Sequence, residues 1–211
     1  MSHEQQESAF AIQTRALLAE HGDVFLQIAK SSIENGFQDQ KPLNLALETL
    51  PPEMTEQGAC FVTLHKDGKL RGCIGSPEAR LPLAKDVAEN AYRSAFRDPR
   101  FGPVKEEETD RMDIHLSVLS PAEPFSFTDE EDLITKLRVN TDGLIIEDKG
   151  RRALFLPSVW QQLPDPKQFV AHLKAKAGLG ADHWSDTFKG WRFIAAETGA
   201  DWNDIETSPP H

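Results

Sequence analysis

The sequence predicts an α+β fold: a largely antiparallel central sheet flanked by helices, with long insertions forming a second, unequal subdomain. Three observations lead there. Two pairs of apolar runs are joined by tight turns, at Asp67-Gly68 and at Asp148-Lys149-Gly150, and such turns make antiparallel hairpins. Long excursions connect the remaining strands, in place of regular βαβ units. The clearest helix, Pro82 to Arg97, carries Leu83, Val87, Ala91 and Ala95 at a four-residue spacing that gives one apolar stripe.

In chain order, residues 1–8 read as a disordered tail. Phe10, Thr14, Leu17 and Leu18 predict a helix from Ser8 to Glu20, stopped by His21-Gly22. Asp23 then caps a second helix with Val24, Phe25, Ile28, Ala29 and Ile33 buried, ended by Gly36. Residues 38–58, with Pro42, Pro51 and Pro52, read as a long surface connection. The 82–97 helix turns Asp86, Glu89, Asn90, Arg93 and Arg97 away from its stripe. Asp113 to Leu119 alternates as a strand, with Ile114, Leu116 and Val118 on one face. Asp129 caps a short helix to Leu137. Gly143–Glu147 and Ala153–Leu156 form the second hairpin. Asp165, Pro166 and Gln168 start a helix that Gly178 stops. Trp191 to Ala195 is the final strand, and the acidic end from about Gly199 reads as mobile.

The first hairpin organises the reading. Its strands run Ala59–His65 and Lys69–Gly75. A regular register pairs His65 with Leu70, Leu64 with Arg71 and Val62 with Cys73. That register puts Cys60, Val62, Leu64, Arg71 and Cys73 on one face and Phe61, Thr63, His65 and Leu70 on the other. The two cysteines are then diagonal, too far apart for an unstrained bridge, and both read as reduced.

Net charge is −11, which opposes general binding to nucleic acid or anionic membranes. No apolar run approaches the ~20 residues that span a bilayer. The first residues have neither a basic nor an apolar segment of a secretory signal, so the cytoplasm is the expected compartment. Walker A, Gly-x-Gly-x-x-Gly and Gly-x-Ser-x-Gly patterns are absent. His65, His115, His172 and His183 lack paired ligand spacing such as His-x₃-His, and Cys-x-x-Cys is absent, so no metal site is expected.

Phe61 to Gly75, and within it Leu70-Arg-Gly-Cys-Ile-Gly75, resembles the AMMECR domain family, whose hallmark is that hexapeptide. Asp98-Pro-Arg-Phe101, Ser117-Val-Leu119, Phe155-Leu-Pro157 and Lys176-Ala-Gly-Leu179 resemble further family segments in the same order. The likeness covers roughly Asp23 to Ala196. It divides the chain into an extension (1–20), an AMMECR-like domain (21–198) and an acidic tail (199–211). Residues 1–20 lie beyond the family's usual start, and His115 stands where an acidic residue is expected. The resemblance implies an α+β domain of two unequal subdomains with the hexapeptide on a central strand. It assigns no reaction and no cofactor. Relatives are associated with a Memo-like protein and a radical-SAM protein, which implies a shared pathway.

Cys73 is the candidate catalytic thiol, because a neighbouring guanidinium favours a thiolate; its bland alternative is a small buried hydrophobe. Arg71 and Arg100 are candidates to hold an anionic substrate, against roles in local ion pairs. Gly72 and Gly75 permit close backbone approach, by a ligand or by a packed helix. His65 and His115 are the candidate bases, with His65 directed away from Cys73 in the regular register. Two functions follow. One is a small-molecule site for an anionic ligand on the Arg71/Cys73 strand. The other is a non-catalytic module that docks a partner enzyme.

Overall fold

The computed structural model describes residues 8–206, which form two compact units. The first unit comprises residues up to Leu119 and from Ala196 onward; the second is Ser120–Ala195.

In the first unit, β1 (Gln57–Lys66), β2 (Lys69–Gly75), β4 (Met112–Leu119) and β9 (Ala195–Asp201) lie in the order β2-β1-β4-β9, and the short β3 (Leu81–Pro82) pairs with the start of β1. The pairs β1–β2 and β1–β4 are antiparallel, as the hairpin signal requires. Helices α1 (Ala9–Asp39), α2 (Pro52–Thr55) and α3 (Leu83–Phe96) complete the unit. Cys60, Val62 and Leu64 of β1 and Ile114, Leu116 and Val118 of β4 make its core with Phe25, Ile28, Val87 and Ala91. The opposite face of these strands, Phe61, Thr63, His65, Asp113, His115 and Ser117, is half-buried to exposed.

One helix replaces the expected two at the N-terminus. Ser8 caps α1 by accepting from the Ala11 N–H, and the helix runs through His21-Gly22 to Asp39, across the expected boundary at residue 20. Both glycines that suggested stops are packing positions. A Cβ on Gly36 would lie 2.2 Å from the Phe96 ring, and one on Gly22 would meet Thr198 at 3.4 Å. Tertiary contact outweighs the helix cost of about 1 kcal/mol per glycine. The expected tail is likewise docked as far as it is described. Trp202 and Ile205 are buried, and their carbonyls accept from the buried Lys30 ammonium at 3.0 and 2.8 Å. The tail expected over 1–8 lies, except for Ser8, outside the described residues. The connection over 38–58 contains a 3-10 turn at Leu47–Thr49, all of α2 and the start of β1.

The second unit holds an antiparallel sheet in the order β5-β8-β6-β7, built from β5 (Glu123–Pro124), β6 (Gly143–Asp148), β7 (Arg151–Phe155) and β8 (Lys189–Phe193). Helices α4 (Glu130–Lys136) and α5 (Pro166–Lys176) start at Asp129 and Asp165, whose carboxylates accept from Asp132 N–H and Lys167 N–H. Trp160 stacks on Phe169 at 3.8 Å in an aromatic core with Leu133, Leu144 and Phe125. The final strand divides in two: β8 completes this sheet and β9 returns to the first.

Candidate functional site

The candidate residues are positioned by one irregularity. Asp67 (φ 52°) and Gly68 (φ 70°) make the two-residue turn expected of a hairpin. His65 pairs with Leu70, but the register then shifts: Leu64 pairs with Gly72, Thr63 with Cys73, Val62 with Ile74 and Phe61 with Gly75. Arg71 is the extra residue of a bulge. The regular register is therefore overturned from Arg71 onward. The reason lies on α3. A Cβ at position 72 would fall 2.1 Å from the Ser94 carbonyl oxygen, so only glycine can face the helix there. Without the bulge, Arg71 would be driven into that close contact with the helix backbone, where its side chain has no room and its charge would be buried.

The bulge sorts the candidates anew. Cys60 and Cys73, both free thiols, lie on opposite faces. Cys60 is sealed under α3, its N–H donating to Asp86 at 3.0 Å. Burial first, and then the Asp86 carboxylate, push its thiol well above the ordinary range. Asp86 and Asn90 turn toward the sheet and not to solvent, correcting the polar side read from the helix, and Ser94 is buried with them. Asn90 donates to the Cys60 carbonyl and to Ser76; Ser94 accepts from the Ile74 N–H and donates to the Val62 carbonyl, both at 2.8 Å. Gly75 leaves no gap either, since a Cβ there would lie 2.2 Å from the Phe61 ring.

Cys73 emerges on the other, more open face. It is partly exposed, and its sulfur accepts from the Thr63 hydroxyl at 3.3 Å. The next strand continues the row: Thr63 pairs with His115, and His65 with Asp113. His65 Nδ1 is 2.8 Å and His115 Nε2 3.1 Å from Asp113 Oδ1, and the two rings meet edge to face with centroids 5.1 Å apart. Both histidines thus share the face of Cys73, which for His65 overturns the regular register. Asp113, which carried no sequence signal beyond strand alternation, joins them.

The backbone of Cys73 is held from the sheet edge. Its N–H donates to Asp98 at 2.8 Å, and its carbonyl accepts from Arg100 Nη2 at 3.1 Å. Arg100 also clamps Asp98 through Nε and Nη2 at 3.0 and 2.6 Å. These bonds, with those from the Cys73 and Arg100 N–H groups, hold the buried Asp98 carboxyl far below the usual range. The same Asp98 bond, and to a lesser extent the Cys73 side chain, raises Arg100. The Arg100 side chain nonetheless stays 53% exposed, so it combines a fixed position with an open side.

Arg71 is committed elsewhere. Its Nε and Nη2 grip Glu108 at 3.2 and 2.9 Å, and Nη1 and Nη2 donate to the Gly102 and Pro103 carbonyls. Glu108 also accepts from Lys66 at 2.6 Å and from the Lys105 N–H. The Arg71 bond, followed by the Lys66 bond, lowers its carboxyl to about 2. The acid that pairs with Arg71 thus comes from the 106–111 turn. All three guanidinium nitrogens are engaged.

The second unit carries a separate polar cluster. The buried Asp148 accepts from Thr187 and Ser185 hydroxyls and pairs with His183. The Thr187 bond and then the His183 bond bring its carboxyl to about 2. These contacts fasten the 183–187 loop onto the β6–β7 turn. No helix among the described residues is long and apolar enough to cross a membrane.

Comparison with known proteins shows what the chain as a whole is similar to. The AMMECR1 family model matches residues 26–198. A protein of Methanocaldococcus jannaschii is 38% identical over 185 residues, covering 86% of this chain and 90% of the relative. A protein of Methanothermobacter thermautotrophicus is 40% identical over 171 residues, covering 81% and 88%. The crystal structure of an uncharacterised protein from Pyrococcus horikoshii superposes with a TM-score of 0.73 at 36% identity, over 85% of this chain and 91% of that one.

Proposed function

The chain belongs to the AMMECR1 family, and from that premise we propose that the face of the first sheet bearing Cys73 is a small-molecule site for an anionic ligand. The carrying observation is a partly exposed thiol beside a half-exposed guanidinium that is fixed, directly and through Asp98, against the Cys73 main chain. Arg100 supplies the charge that attracts the anion. Arg71 holds the 102–108 segment through its bonds to Gly102, Pro103 and Glu108. Cys73 is the nucleophile or sensing group, and Thr63 is its hydrogen-bonding neighbour. His65 stands one strand away on β1 and His115 two strands away on β4, as bases toward a ligand that spans the face. In this reading the protein shares a pathway with Memo-like and radical-SAM proteins, a proposal supported by family association alone.

The test is the rate of Cys73 alkylation by anionic iodoacetate relative to neutral iodoacetamide. The ratio is expected to fall about threefold in Arg100→Ala and to stay close to wild type in Arg100→Lys, as loss of one nearby charge requires. An unchanged ratio in Arg100→Ala sinks the anion site. Failure of Cys73 to label before unfolding favours the interaction module.

A further inference from the structure

We propose that His65, Asp113 and His115 form a binding site for one divalent transition-metal ion on the face of the first sheet opposite α3. The proposal goes beyond the anion site and stands without it, because neither Cys73 nor Arg100 supplies a ligand; where the ion is bound, His65 and His115 act as its ligands and not as bases.

The register makes the site. His65 on β1 is directly opposite Asp113 on β4, and His115 follows two residues along β4 on the same face. Three side chains from two paired strands therefore converge without any loop to order. One ligand atom from each lies within 4.8 Å of the others. Asp113 Oδ1 is 2.8 Å from His65 Nδ1 and 3.1 Å from His115 Nε2. Neighbouring ligands around an ion bound at about 2.0–2.1 Å are themselves about 3 Å apart, so each imidazole already stands from the carboxylate at the spacing of a coordination shell.

The donor chemistry selects the ion. Two imidazoles and one carboxylate favour zinc, cobalt(II) or iron(II) over magnesium or calcium, which take oxygen ligands. Three protein ligands on one side leave further positions for water or substrate. Partial exposure of all three side chains gives that access. The ring of His115 is also accommodated by β9. A Cβ at Gly199 would lie 2.7 Å from His115 Nδ1, so glycine there leaves the ring its place. Without metal, Asp113 can accept a hydrogen bond from each imidazole.

A second group, Glu20, His21 and Glu53, also has ligand atoms within this distance. It offers a single imidazole, already 3.0 Å from Glu53, and serves as the control.

The experiment titrates the metal-free full chain with cobalt(II), reading the visible absorption of the bound ion, and then displaces it with zinc. One cobalt per chain is expected, displaced by zinc and not by magnesium. The apparent affinity should fall at least ~10-fold in His115→Ala and in Asp113→Asn, while His21→Ala and Cys73→Ser bind as the wild type does. Because the His115 side chain is half exposed, that variant should fold. Wild-type thermal stability should rise with zinc, and that of His115→Ala should not. Absence of stoichiometric binding, or equal binding by wild type, His115→Ala and Asp113→Asn, overturns the proposal. So does loss of binding in His21→Ala alone.

Discussion

The two faces of the first sheet use polar residues in opposite ways. Against α3, each of the buried polar side chains of the helix takes a backbone group of the sheet, and Asp86 and Asn90 also meet the Ser76 hydroxyl. Asp86 takes the Cys60 N–H, Asn90 the Cys60 carbonyl, and Ser94 bridges Val62 and Ile74. On the other face, the polar groups point at one another and keep partial exposure: Thr63 to Cys73, and His65 and His115 to Asp113. Satisfied buried groups fix a strand pairing; partly solvated groups that share a partner can exchange it for a ligand. The two cysteines, one on each face, show the contrast most directly.

The largest expected effect is therefore chemical. In native protein, iodoacetamide should label Cys73 at least about a thousandfold faster than Cys60, whose exposure requires opening of the core. Peptide mapping after a short pulse reads the ratio. Comparable rates would break the assignment of the two faces.

Next comes Gly72→Ala. Its Cβ would collide with a carbonyl oxygen of the α3 backbone, which cannot swing aside as a side chain could. The loss should be at least about 3 kcal/mol in urea unfolding. Gly102→Ala, with nothing within 4 Å of the added carbon, should cost under about 0.5 kcal/mol. Equal effects would refute the helix contact as the cause of the bulge.

Glu108→Gln should cost about 2–3 kcal/mol at neutral pH, by leaving Arg71 and Lys66 without their shared carboxylate. The pH dependence has a definite sign. The folded carboxyl, near 2, lies below its ordinary value of 4.5. Its stabilisation is thus complete above about pH 5 and is lost as pH falls toward 2. The gap between wild type and Glu108→Gln should close over that window, in denaturation curves taken at successive pH values. A gap independent of pH would remove the ion pair as its source.

The smallest effect is expected at His115→Ala without metal, within about 0.5 kcal/mol, because the side chain is half exposed. A loss of several kcal/mol would mean that the open face is itself a packed surface.

Much of the framework was legible locally. The Asp67-Gly68 and Lys149-Gly150 turns, the alternation of β4, the stripe of α3 and the caps at Asp129 and Asp165 each follow from neighbouring residues, and each forms where expected. Signals that depend on distant contacts misled. Gly22 and Gly36 read as helix stops because their packing partners, Thr198 and Phe96, are far along the chain. Trp202 and Ile205 read as tail because the ammonium that receives them belongs to Lys30.

The site divides in the same way. Sequence alone determined that Arg71, Cys73, Arg100, His65 and His115 were the residues to examine, since thiol, guanidinium and imidazole carry chemistry wherever they stand. Which of them meet was decided by tertiary structure. The close approach of Ser94 to Gly72 inserts one residue into β2, and with a side-chain period of two, that single residue moves Cys73 to the face of both histidines. Only the pairing of β1 with β4 brings His65, Asp113 and His115 together, from positions some fifty residues apart in the chain.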